Sequence, residues 1–106
     1  MYFIIALFTT LILLLNACAT IEPHENFRES LRYAIGTTLE DQKQSYRMIG
    51  AREPISVEHL PNGNIENTYL YMTRYSCKFA FEVDPISQRI LNARIVQGEQ
   101  DCFINP

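Results

Sequence analysis

The chain has 106 residues, a formal net charge of −3 and 47% hydrophobic residues, which leaves room for one small domain. A slightly acidic sequence without basic runs lacks the electrostatic footprint of nucleic-acid binding, and no phosphate loop, dinucleotide fingerprint, calcium loop or nucleophile elbow occurs along it. The charge is unevenly spread: Met1 to Ile21 carries no charged side chain, and all 21 Asp, Glu, Lys and Arg residues lie from Glu22 onward.

Residues Tyr2 to Leu15 form an apolar run interrupted only by Thr9 and Thr10, and the run ends in Leu15-Asn16-Ala17-Cys18. Such a run must leave water, and an apolar core followed by small residues has the form of a secretory signal peptide. The four residues ending at Cys18 resemble the lipobox of bacterial lipoproteins, with an aliphatic residue three before the cysteine and a small residue immediately before it. That resemblance implies a signal peptide over residues 1–17, a diacylglycerol on the Cys18 thiol, cleavage by signal peptidase II and acylation of the new amino terminus. Ala19 stands where an aspartate would retain such a protein in the inner membrane, so the resemblance implies the periplasmic face of the outer membrane. An uncleaved anchor is the alternative, because 21 uncharged residues rising 1.5 Å each just cross a hydrocarbon core of roughly 30 Å. Both readings tether the domain to a membrane outside the cytoplasm. In the lipid form each buried methylene contributes roughly 0.8 kcal/mol, so two or more acyl chains hold stably where one does not.

With Cys18 assigned to lipid, Cys77 and Cys102 remain as a pair, and in an oxidising compartment they are expected to bridge. A bridge across 25 residues stabilises by about 3.5 kcal/mol in the chain-entropy model, a large contribution for so small a domain. A metal site from Cys77, Cys102 and His24 or His59 is the weaker alternative, since no pair among them has ligand spacing.

Residues 18–23 read as a lipidated tether ending at Pro23, and residues 24–106 as the folded domain. From His24 to Ile35, Phe27, Leu31, Ala34 and Ile35 share one face at helical spacing, and Gly36 follows as a stop. Thr38 can cap a second helix carrying Leu39, Gln42, Tyr46 and Ile49 on one side, ended by Gly50 and Pro54. Leu60-Pro61-Asn62-Gly63-Asn64 is a turn in which Pro61 presets φ, Gly63 supplies a positive φ and the asparagines bond their own backbone. Three strand-like stretches follow: Ile65 to Tyr75, Cys77 to Val83 with its Cys77, Phe79, Phe81, Val83 alternation, and Arg89 to Gln97 after the Asp84-Pro85-Ile86-Ser87 turn. The expected fold is α+β, with one or two amino-terminal helices packed on a three-stranded antiparallel meander and covering its Phe79 and Phe81 face.

This order of a lipid cysteine, two helices and a meander resembles the small outer-membrane lipoproteins of the SmpA/OmlA type, the BamE-like family. The points of similarity are Gly36-Thr37-Thr38 opening the second helix, Ile49-Gly50 with Pro54 closing it, and the strand order after it. The resemblance implies a non-enzymatic accessory part of the cell envelope, held to the membrane by its lipid and bound to an envelope protein.

Candidate chemistry is sparse. His24 and His59 stand singly beside the tether and the turn and read as surface residues, while the carboxylates are dispersed, with Glu25 and Glu29 one helical turn apart as on a solvated face. Glu82 and Asp84 can form a polar rim with Arg74, Arg89 or Arg94. No catalytic residue, cofactor, metal or small-molecule substrate is expected. Tyr69, Tyr71 and Tyr75 form a row on one strand face, either half of the sheet's core or a docking patch for a partner, and they are the candidate partner-binding residues. The function these features imply is a binding or assembly subunit. A periplasmic inhibitor or immunity-type protein that blocks an enzyme is the alternative, and a small hydrolase the weakest.

Overall fold

A computed structural model describes residues 22–44, 53–71 and 76–105. The expected lipidation site at Cys18, the expected signal peptide over residues 1–17, Tyr75 and the Tyr46 to Gly50 stretch of the expected second helix lie outside the described residues.

Helix α1 spans Pro23–Ala34. Glu22 caps it, its carboxylate accepting from the amides of His24 and Glu25 at 3.0 and 3.1 Å, and Pro23 occupies the first turn, where no intrahelical N–H partner is needed. The helix thus recruits Glu22 and Pro23, both expected in the tether, into the folded part. Phe27, Leu31 and Ala34 are buried on one face, while Glu25 pairs with Arg28 and Arg32 on the other. Gly36, at φ 93°, ends the helix, and Ile35 turns outward at the cap rather than joining the buried face.

Helix α2, Leu39–Gln44, opens on a reciprocal cap: the Asp41 amide donates to Thr38 Oγ1 and the Thr38 amide to the Asp41 carboxylate. Leu39 packs against the core, and the buried Gln42 side chain donates to Thr37 Oγ1 at 3.1 Å. Among the described residues no helix is long and apolar enough to cross a membrane.

The sheet has four antiparallel strands rather than the expected three: β1 Ser56–His59, β2 Ile65–Leu70, β3 Lys78–Val83 and β4 Ile90–Gln97, in the order β1-β2-β3-β4. The Leu60 to Asn64 turn is therefore a hairpin connection. Gly63 has φ 91°, the Asn64 amide donates to Asn62 Oδ1 and the Leu60 amide to the Asn64 carbonyl. Strand β1 escapes notice in the sequence because all four of its side chains are exposed, so no buried alternation marks it. Two bulges place Leu91 and Val96 as extra residues of β4, which explains why these apolar side chains are exposed.

The core lies between α1 and one face of the sheet. Phe27 meets Phe79 edge-on with ring centroids 6.1 Å apart, and Phe81, Val83 and Ile90 complete the buried centre. The expected cover of the Phe79 and Phe81 face by the amino-terminal helix is present, and it follows from the aromatic density of β3.

Candidate functional site

Cys77 and Cys102 form a disulfide with their Cα atoms 5.1 Å apart, both residues buried. Three local features bring them together. Gly98 takes a left-handed conformation after β4, Glu99–Asp101 form a single 3-10 turn, and the Asp101 carboxylate accepts from the Ser76 hydroxyl at 2.6 Å. A Cβ at Gly98 would stand 2.3 Å from the Ser76 carbonyl oxygen, so only glycine lets the tail cross so close to the chain entering β3.

The same tail closes over the start of α1. The Ile104 amide donates to the Pro23 carbonyl, and Asn26 Nδ2 donates to the Ile104 carbonyl. Arg28 pairs with Glu99 at 3.0 Å. His24 contributes both ring nitrogens: Nδ1 lies 2.6 Å from Glu22 Oε1, and Nε2 3.1 Å from the Gln100 carbonyl. The Gln100 carbonyl, followed by the Glu22 carboxylate, raises the pKa of His24 above the ordinary histidine value. Reciprocally, the His24 ring and then its amide hold the Glu22 carboxyl below the usual range. His24 is thus a working part of a seam rather than the simple surface residue expected. The sequence signal was its position two residues after the capping glutamate.

Of the two roles left open for the tyrosine row, sheet core or docking patch, the described residues take the first at Tyr69. Tyr69 is only 3% exposed and stacks on Phe79 at 5.3 Å, with its hydroxyl accepting from Asn67 Nδ2. It belongs to the core, not to a partner surface, because the Tyr69–Phe79 and Asn67–Phe81 register turns this parity of β2 toward the buried face. Tyr71 is half-buried and meets Phe27 edge-on at 5.0 Å. Burial pushes both phenols up from their ordinary pKa. The large apolar side chains that do face solvent include Ile86, at 94%, and Tyr33, at 78%. Ile86 sits in a turn held by Asp84, whose carboxylate accepts from the Ile86 and Ser87 amides at 2.8 and 3.0 Å. An isoleucine inside an Asp-Pro-Ile-Ser turn was the available signal, since a turn tip offers nothing to bury it.

The outer face of the sheet is polar. Glu58, Glu66 and Glu82 stand in one cross-strand row, directly opposite one another in register. Arg94 reaches over Ala80 to hold Glu66 at 2.7 Å, and Asn62 and Asn64 donate to Glu82 at 3.2 and 2.7 Å. The rim partners expected for Glu82 are thus replaced by the two turn asparagines, and Arg89 instead donates to the Gly36 carbonyl. Arg74 lies outside the described residues. Among the described residues no group of three or more His, Cys, Asp or Glu side chains is arranged to hold a metal ion.

Comparison with known proteins finds no matching protein family, no similar characterised protein and no similar solved structure.

Proposed function

We propose that this chain is an exported, lipid-anchored protein of the bacterial cell envelope, whose small α+β domain binds another envelope protein as a non-catalytic assembly or stabilising subunit at the outer membrane. The observation that carries this reading is the Cys77–Cys102 disulfide. It accounts for two of the three cysteines and leaves Cys18, at the end of the uncharged apolar segment, as the sulfur available for lipid. A buried disulfide fits the oxidising compartment that an export signal leads to.

With Tyr69 in the core, the contact surface in this reading is the exposed apolar set led by Ile86 and Tyr33. The inhibitor reading draws on the same residue, because an isoleucine on a turn pinned by Asp84 is also the form of a plug for an enzyme cleft.

Three measurements test the proposal. Palmitate labelling is expected in the wild type and absent in Cys18→Ala; equal labelling of the two contradicts the lipid anchor. Pull-down from detergent-solubilised envelope is expected to recover a membrane-protein complex that Ile86→Asp weakens without lowering the thermal midpoint. Capture of a soluble enzyme with loss of its activity selects the inhibitor reading instead.

A further inference from the structure

We propose that His24 is a pH-operated latch: as an imidazolium it holds the Glu99–Asp101 segment against the start of α1, and its neutralisation releases that segment.

The geometry requires two protons on the ring. A peptide carbonyl can only accept, so the 3.1 Å contact to the Gln100 carbonyl needs a hydrogen on Nε2. An ionised carboxylate also only accepts, so the 2.6 Å contact to Glu22 Oε1 needs one on Nδ1. Neutral imidazole carries a single N–H and cannot make both bonds. When a proton leaves to solvent, one nitrogen lone pair faces an oxygen lone pair. The Nδ1 bond to a charged carboxylate is the stronger of the two, and Glu22 is fixed in place by capping the amides of His24 and Glu25. The bond to Gln100 is therefore the one that yields.

The surrounding charges are already engaged. On the helix, Glu25 is paired with Arg28 and Arg32, and Arg28, whose charge opposes protonation of His24, extends to Glu99 of the tail. From the tail, Asp101 is held by Ser76, and the Phe103 ring lies 5.9 Å from the imidazole. Glu22 is thus the carboxylate that compensates the imidazolium directly. The disulfide at Cys102 limits the release to a local opening, in which the seam loosens while the sheet and core stay in place. The sign follows from linkage. A histidine whose folded pKa is raised contributes its stabilisation fully below the unfolded value of about 6.5, and loses it as pH rises through the folded pKa.

The experiment uses the full chain in detergent micelles. Ring-nitrogen NMR titration of His24 is combined with amide hydrogen exchange at Cys102 and Ile104, whose N–H groups donate to the Glu99 and Pro23 carbonyls, expressed as protection factors corrected for intrinsic rate. His24 is expected to titrate above about 6.5. Protection at the two amides is expected to fall with the same midpoint, by about tenfold for each pH unit separating the folded and unfolded pKa values. Glu22→Gln, which keeps a capping oxygen, is expected to lower the His24 midpoint, and His24→Gln to make the protection independent of pH. A midpoint at or below the ordinary histidine value overturns the proposal. So does flat protection in the wild type, or a pH-dependent loss that persists in His24→Gln.

Discussion

Gly63 and Gly98 both have positive φ, at 91° and 70°, but their surroundings differ. A Cβ at Gly63 meets nothing within 4 Å, whereas at Gly98 it strikes the Ser76 backbone. Gly63→Ala should therefore cost about 1 kcal/mol, from backbone conformation alone. Gly98→Ala should cost at least twice as much, about 2–3 kcal/mol, because the tail must also move away from β3. Urea unfolding of the two variants reads the difference, and equal costs would show that the tail crossing is not tight. Asp84 makes a second prediction. The amides of Ser87 and Ile86 hold its carboxyl below the usual pKa. A depressed folded pKa means that its stabilisation is complete above the unfolded value of about 3.9 and is lost as pH falls through the folded value. Carboxyl-carbon NMR should show Asp84 titrating below a free aspartate, and Asp84→Asn should remove that part of the acid sensitivity of the β3–β4 turn.

At the scale of the elements, the sheet carries an electrostatic conflict. Like charges directly opposite across strands destabilise a sheet, and Glu58, Glu66 and Glu82 occupy successive opposed positions on β1, β2 and β3. Arg94 from β4 relieves the middle of the row through two bonds to Glu66, at 3.2 and 2.7 Å. Arg94→Ala should destabilise the domain by about 1 kcal/mol, the upper end for a partly exposed pair, with the loss shrinking in high salt as the row is screened. Glu66→Gln in the same background should recover most of it. If thermal melts show Arg94→Ala neutral at low salt, the row is not strained. The elements also show what sequence patterning can reach. Helix α1 and strand β3 were legible because Phe27, Leu31 and Ala34 recur at helical spacing and Phe79, Phe81 and Val83 at every second residue. The Thr38 cap and the Gly63 turn were legible because their chemistry is local. Strand β1 was not, since exposed side chains carry no period and its existence depends on the ladder to β2.

On the scale of the whole molecule, the tail from Gly98 to Ile104 ties together the entry to β3 and the beginning of α1, two places far apart in the chain. The disulfide is the covalent part of that tie. Replacing both Cys77 and Cys102 by serine should lower the unfolding free energy by about 3.5 kcal/mol, as expected for removing a closed loop of this length. Chemical denaturation with and without reductant measures it: reductant should reproduce the loss in the wild type and add nothing to the double variant. No change on reduction would mean that the hydrogen-bonded seam holds the tail by itself. The candidate site was only partly legible at this scale. The cysteine pair could be reached by counting, but the burial of Tyr69 and the double role of His24 could not.

From the sequence alone came the uncharged amino-terminal run, the class of the domain, the helix face, the turn chemistry and the Cys77 and Cys102 pair. Each of these rests on composition, count or interactions between residues close in the chain. The tertiary structure decided which face of the tyrosine strand is buried, because that depends on the register of β2 with β3. It also decided that β1 pairs at all, and that a histidine beside the expected tether meets a carbonyl 76 residues away. Contacts of that separation leave no local period or motif, since partner and residue meet only after the sheet and helix have packed.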